Sequence, residues 1–250
     1  MKEWITGRNA VYEILSTRSR ETYQFYVSRT AEVKGRMAEI LKLAAKRKLA
    51  PVYVDRARLD RIDENHQGLA LEVSGFHYSD WQDIEARCAA SGRPLFVLFL
   101  DLIQNPQNFG SLIRTAAAAG MHGVVIPTAR SAGVTPAVAH ASVGATEHIP
   151  IVQMNLAQGI QLMHDVGGWV VGLEGGPDAP DIELKRLGGK LGIVVGGEGE
   201  GLRRLTREAC DELARLPMVG EIESLNAAVA GSVVIYLSVM AHRMIPTEII

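Results

Sequence analysis

At 250 residues with a formal net charge of −2, the chain is long enough for one large or two modest domains, each with its own apolar core. No apolar run approaches the roughly 18 residues a membrane-spanning helix needs. The N-terminus, MKEWITGRNAVYEIL, carries charges where a signal peptide would be apolar, so the expectation is a soluble cytoplasmic protein with no membrane partner. Cys88 and Cys210 stand far apart without any CxxC or Cys/His cluster, which argues against a disulfide framework or a zinc site and leaves no metal expected. The small net charge hides an asymmetry. Residues 1–77 hold 14 Lys and Arg against 10 Asp and Glu, net +4, and residues 78–250 hold 12 against 18, net −6.

Residues 1–77 read as a small α/β domain. Asn9 to Leu15 forms a short helix, Tyr23 to Ser28 alternates as a strand, and Val33 to Lys48 is amphipathic, with Met37, Ile40, Leu41 and Ala44 at helical spacing. Pro51 to Val54 and Leu69 to Val73 follow as strands, with the polar turn Asn65-His66-Gln67-Gly68 between them, where His66 reads as a turn residue. Lys42, Lys46, Arg47 and Lys48 cluster at a helix end, with Arg56, Arg58 and Arg61 after it. Such a cluster suits either a solvated face complementing a helix C-terminus or a patch for RNA phosphates.

Tyr78 to Pro94 is helical and polar, closed by Gly92-Arg93-Pro94, and serves as the linker over residues 78–94. From Leu95 strands alternate with helices, the pattern of a parallel α/β sheet over residues 95–250. Leu95 to Leu102 is a continuous apolar run suited to a central strand. Gly123 to Pro127, Ile149 to Gln153, Trp169 to Leu173 and Leu191 to Val195 are the further strands. Helices fit Ser111 to Ala119, Pro136 to Val143, Leu156 to Val166 and Leu202 to Leu213.

Ligands of such sheets bind at the carboxyl ends of strands, and three stretches fall there. In DLIQNPQNFGSLIRTAAAAG, Asp101 to Gly120, Asn105-Pro106 makes a turn, Asn108 is able to cap the helix, and Arg114 sits among Leu112, Ile113 and Ala116 to Ala119. A guanidinium buried there needs an ion pair or a polar ligand. In IVVGGEGEGL, Ile193 to Leu202, the GxGxxG spacing fails at Leu202, and Glu198 and Glu200 would repel a pyrophosphate. Glycines beside carboxylates suit a ligand with hydroxyls and a positive charge, both found in S-adenosylmethionine. In LPMVGEIESLNAAVAGSVVIY, Leu216 to Tyr236, Ser224 is a natural N-cap and Asn226 falls inside the first turn. The small residues Ala227, Ala228, Ala230 and Gly231 allow close approach of a backbone or a flat ligand. A capped core helix would account for this stretch equally well on local grounds.

Taken together, NFGSLIRTAAAAG, VVGGEGEGL and LPMVGEIESLNAAVAG resemble the three ordered motifs of the SpoU (TrmH) RNA ribose 2′-O-methyltransferases of the SPOUT class, across residues 95–243. GRNAVYEIL and NHQGLALEV in the front domain resemble the L30e-like substrate-binding domain of the RlmB-type branch, which methylates a guanosine ribose in 23S ribosomal RNA. The chain departs from the pattern at Ala227 and Ala228, where many members carry Val and Ser, and at Asn105, where Asp is frequent.

The resemblance implies a deep trefoil knot in the C-terminal domain and a homodimer formed through knot helices, for which the apolar helix Ala227 to Met240 is suited. It implies S-adenosylmethionine held by backbone around Gly196, Leu216 and Leu225, with Gly197 and Met218 close by. Asn108, Arg114, Glu198, Ser224 and Asn226 match its catalytic positions. Asn108 and Glu198 would fix the loops and Arg114, which would work beside the other subunit's cofactor, and Asn226 would brace the cofactor loop. The implied reaction is methyl transfer to a ribose 2′-hydroxyl of RNA, with 23S ribosomal RNA as partner. Transfer RNA ribose methylation is the alternative within enzymes, a non-catalytic RNA-binding ribosome-assembly factor the alternative outside them, and a nicotinamide dehydrogenase lacks its fingerprint.

Overall fold

The computed structural model describes residues 2–128, 133–175, 179–197, 199, 201–222 and 224–244. The chain divides into two compact units, Met1–His77 with Gly133–His148, and Tyr78–Ala132 with Ile149–Ile250.

The first unit is built on a mixed four-stranded sheet. Its strands are β1 (Lys2–Thr6), β2 (Thr22–Ser28), β3 (Pro51–Val54) and β4 (Leu69–Ser74), in the order β1-β4-β2-β3. Strand β4 runs antiparallel to β1 and β2, and β2 and β3 are parallel. Two helices, α1 (Arg8–Thr17) and α2 (Arg36–Lys46), share one core with one face of this sheet, through Val11, Ile14, Met37 and Ile40 against Ile5, Phe25, Val27 and Leu71. The short α3 (Arg56–Asp60) covers part of the other face, where Leu59 joins Tyr26, Val54 and Ala70. Sequence periodicity missed β1, a short strand that exists through its pairing with β4.

The stretch Gly133–His148 belongs to this unit and not to the second domain expected over residues 95–250. It holds the short helix α6 (Pro136–Ala141) and a 3₁₀ turn at Ala145–Glu147. Ala139 enters the first core. Glu147 forms an ion pair with Arg20 at 2.7 Å, both side chains at most 2% exposed, and Arg20 also pairs with Glu3. Satisfying so buried a guanidinium requires both carboxylates, which ties the stretch to this core.

The second unit carries a six-stranded, all-parallel sheet. Its strands are β5 (Phe96–Leu100), β6 (Gly123–Ile126), β7 (Ile151–Gln153), β8 (Trp169–Leu173), β9 (Leu191–Val195) and β10 (Glu212–Ala214), in the order β10-β8-β9-β5-β6-β7. All five residues of β5 and of β9 are buried, as central strands covered on both faces must be. The segment expected as a helical linker belongs to this unit and holds the helix α4 (Trp81–Ser91). Asp83 accepts at its N-terminus from the Asp80 N–H at 3.0 Å, and Trp81 and Ile84 pack with Leu95, Val97 and Phe99. The remaining helices are α5 (Pro106–Ala118), α7 (Leu156–Asp165), α8 (Arg204–Ala209) and α9 (Ala227–Met244).

The helix expected over Leu202 to Leu213 is shorter. It ends at Ala209, because Asp211 pairs with β8: its N–H reaches the Val170 carbonyl at 2.9 Å and its carboxylate accepts the Val170 N–H at 2.8 Å. The chain then extends as β10, an edge strand whose partner is remote in sequence.

Candidate active site

The carboxyl ends of β5 and β9 lie side by side and set the floor of the site. Gly196 is buried, and a Cβ there would lie 2.5 Å from the Gly201 carbonyl carbon and 2.9 Å from the Leu202 nitrogen. A Cβ on Gly197 would lie 2.5 Å from the carbonyl oxygen of Leu102, just past β5. These approaches require glycine. Gly201 N–H closes the loop on the Gly197 carbonyl at 3.2 Å. Asp101, fully buried, accepts from the Arg203 backbone N–H at 2.9 Å and from its Nε at 2.6 Å, holding the glycine loop over the end of β5. Sequence reasoning missed this staple. The available signal was an acidic residue ending an apolar strand, which must find a partner when buried.

Asn105, not Asn108, caps α5: its Oδ1 accepts from Gln107 N–H at 2.8 Å, with Pro106 in the first helical position. Asn108 thus lies in the first turn. Similarly, Asn226 and not Ser224 caps α9. Its Oδ1 accepts from the N–H groups of Ala228 at 2.9 Å and Val229 at 3.2 Å, and its carbonyl accepts from Ala230 at 2.9 Å. The side chain that would compete with the helix interior therefore stands just outside it, where it satisfies orphan donors. Asn226 Nδ2 then donates to Asn108 Oδ1 at 3.2 Å, joining the starts of α5 and α9. Further along, Thr115 and Ser232 share a hydrogen bond of 2.9 Å. Gly231 lets α9 settle on Leu112 and Val195, which a Cβ would meet at 2.7 and 2.9 Å.

The third stretch leaves β10 at Ala214. Arg215 is held by backbone bonds to Pro180 and Ile182 and by an ion pair to Asp181 at 2.9 Å. Among the described residues, no backbone–backbone bond ties residues 216–222, Ser224 or Leu225, so the N–H and C=O groups of these residues are not committed to the backbone ladder. Leu216 and Met218 are half-buried, while Ser224 and Leu225 are exposed beside the Asn226 cap. Val219 and Ile222 are 98% and 74% exposed. In the sheet, β10 lies two strand positions from β9, roughly 10 Å away. Free backbone groups, apolar side chains and bare glycines fit a nucleoside bearing hydroxyls and an amino group. Glu198 and Glu200 lie outside the described residues.

Arg114 is not buried as the sequence suggested. It lies with Gln107, Ser111 and Ala118 on the exposed face of α5, and among the described residues it makes no hydrogen bond or ion pair. The spacing 107, 111, 114, 118 is one helical stripe, opposite the buried Phe109, Leu112, Ile113 and Ala116.

In the first unit, Lys42, Lys46 and Lys48 are exposed, and among the described residues no ion pair engages them. Arg47 differs: its Nη1 donates to the Ile14 carbonyl at 3.3 Å near the end of α1, and burial, then the nearby Arg18 charge, holds its pKa below the usual range. His66 is a turn residue, as expected. It is buried, its Nδ1 accepts from Gly68 N–H at 2.8 Å, and Nε2 lies 3.1 Å from Asp60.

Comparison with known proteins agrees with this geometry. The family model for the SpoU rRNA methylase family matches residues 95–236, and that for RNA 2′-O ribose methyltransferase substrate binding matches residues 4–79. A Bacillus subtilis (strain 168) protein, YacO, assigned to the TrmH family of tRNA/rRNA methyltransferases, is 37% identical over 94% of each chain. An uncharacterized tRNA/rRNA methyltransferase of Mycolicibacterium smegmatis is 39% identical over 93% of this chain and 74% of its own length. Among solved structures, the SpoU methyltransferase AviRb from Streptomyces viridochromogenes in complex with AdoMet has a TM-score of 0.74 at 22% identity, covering 96% of this chain and 90% of that one. An RNA 2′-O ribose methyltransferase structure has a TM-score of 0.75 at 21% identity, covering 98% and 90%. The chain belongs to the SpoU rRNA methylase family, the S-adenosylmethionine-dependent RNA methyltransferases of TrmH type.

Proposed function

We propose that this chain transfers a methyl group to a ribose 2′-hydroxyl of RNA, with a guanosine of 23S ribosomal RNA as the target. The observation that carries the proposal is the meeting of three sequence-distant turns. The Asn226–Asn108 bond joins the α9 and α5 starts, and Gly197 touches the end of β5. Gly196, Gly197, Leu216, Met218 and Leu225 would hold S-adenosylmethionine, largely by backbone groups. Bound there, the cofactor supplies an electrophilic methyl on sulfonium.

The chain's own residues align the other reactant. A guanidinium keeps its proton at neutral pH, so Arg114 does not act as the base. Its planar fork would orient the 2′-hydroxyl and grip the adjacent phosphate, and that phosphate or water would take the proton as the oxygen–carbon bond forms and the carbon–sulfur bond of the sulfonium breaks. Asn108 and Asn226 hold the two helix starts in register, with Ser224 beside the cap and Glu198 assigned to fixing the glycine loop.

An exposed Arg114 that makes no hydrogen bond or ion pair among the described residues suits a site completed by a second copy. The α9 face bearing Val229, Val233, Tyr236 and Met240, all exposed, is the surface that would form such a homodimer. The knotted path of the family, its last segments threaded through a loop, is part of the same proposal. Lys42, Lys46 and Lys48 would meet RNA phosphates, with Arg47 holding the end of α1 beside them. The test is a map of 2′-O-methyl marks on RNA from cells with and without this gene. Loss of a mark at one 23S guanosine supports the proposal. A lost transfer RNA mark, or no lost mark, contradicts it.

A further inference from the structure

Among the described residues, the face of the small sheet turned away from α1 and α2 is closed by a hydrophobic cluster at one end. Around Tyr26, Val54 and Ala70 it is closed by Leu59, with Ile62 packed alongside. At the other end, cross-strand pairing sets Glu72 between Trp4 on β1 and Gln24 on β2, so these three side chains share that face. Trp4 stacks on Tyr26, with centroids 4.6 Å apart and an interplanar angle of 30°. Arg58 lies over the same Tyr26 ring and donates to its hydroxyl at 2.9 Å. A register shift between Thr22 and Gln24 adds Tyr23, whose ring lies 4.0 Å from the Lys2 ammonium.

The Glu72 carboxylate has no hydrogen bond among the described residues. Its Oε2 is buried without a hydrogen-bond partner, and the nearest cation, Lys2 Nζ, is 3.8 Å away, beyond hydrogen-bond reach. The Glu72 side chain is 15% exposed, yet Lys2 and Gln24 beside it are exposed. A carboxylate left without donors at the open end of an aromatic shelf is costly unless a ligand brings donors to it.

We propose that this shelf binds one unpaired base of the RNA substrate, a guanine in preference to the others. This rests on the reading of the chain as an RNA-modifying enzyme. The base stacks beside Trp4, as unpaired bases do on aromatic side chains in sequence-reading RNA sites. An ionised carboxylate only accepts hydrogen bonds. Guanine offers it two adjacent donors, N1–H and the N2 amino group. Uracil offers one N–H between two carbonyls, and adenine and cytosine offer one amino group beside an acceptor nitrogen. Lys2, on a flexible stem, moves from the carboxylate to the neighbouring phosphate.

The test uses the full chain and short single-stranded RNAs that differ only in one central base, with binding read by fluorescence anisotropy at fixed salt. The wild type should bind the guanine oligonucleotide about 10-fold more tightly than the others. Glu72→Gln should bring all four within about twofold, and Trp4→Leu should weaken all four together. Equal binding of the four by the wild type, or an unchanged guanine preference in Glu72→Gln, would overturn the proposal. A measurement free of variants accompanies it: an oligonucleotide carrying 6-thioguanosine, photocrosslinked to the wild type, should attach within residues 2–6, 22–26 or 69–74. Attachment elsewhere alone would also overturn it. Calorimetry with S-adenosylmethionine on the same preparation reports separately on the enzyme reading, so a chain that reads guanine without binding the methyl donor fails there and not here.

Discussion

Asn226 and Asn108, 118 residues apart, are joined by a 3.2 Å bond from one amide to the other, while the Asn226 oxygen caps α9. One side chain thus fixes both where the last helix starts and where it sits relative to α5. Asn226→Ala should lower unfolding free energy by about 1–2 kcal/mol, the usual worth of a lost cap plus a polar contact. Asn226→Asp keeps the cap and loses the donor to Asn108, so it should recover most of that loss in urea titrations while still weakening cofactor binding.

Arg20 is enclosed by Glu3 and Glu147. Arg20→Ala leaves Glu147 buried and uncompensated and should cost about 3–5 kcal/mol. Arg20→Met with Glu147→Leu and Glu3→Gln removes all three charges and should restore most of it. Denaturant midpoints of the two variants check this, and equal losses would contradict it.

His122 is buried, its Nδ1 accepts from the Phe96 N–H at 2.9 Å, and Nε2 lies 2.8 Å from Ser91 Oγ. Burial, then the charges of Arg93 and Arg87, lowers its pKa from 6.5 to about 4. The folded state therefore favours neutral His122. Its contribution is fully present above about pH 6.5, declines as pH falls, and is lost by about pH 4. Between pH 7.5 and pH 5 this amounts to about 2 kcal/mol. His122→Asn, which keeps an acceptor for Phe96, should flatten that part of the stability–pH curve.

Lys42, Lys46 and Lys48 converted together to Ala should weaken RNA binding and make the slope of log affinity against log salt shallower by about 2. An unchanged slope would remove these lysines from the interface.

Much of the sheet was legible from the chain. Trp169–Leu173 and Leu191–Val195 form strands at the expected bounds, because a run of apolar residues buried on both faces is a local signal. β1 and β10 were not legible, since each is a short strand stabilised by a distant partner. The caps were misplaced by two or three residues, from Asn105 to Asn108 and from Asn226 to Ser224. Ser, Asn and Asp are all good caps, and tertiary contacts choose among them. The chemistry of Arg114 was read as that of a buried group. One helical stripe, 107-111-114-118, would have placed it outside. The Asp101–Arg203 staple joins residues 102 apart, and no local pattern announces such a pair.

The most direct measurement of the central claim is a calorimetric titration of the full chain with S-adenosylmethionine, on the wild type and on Gly197→Ala, whose Cβ would press on the Leu102 carbonyl. The account predicts saturable binding, one molecule per chain, weakened at least about 10-fold in the variant. No saturable binding to the wild type, or equal affinity in Gly197→Ala, would contradict it.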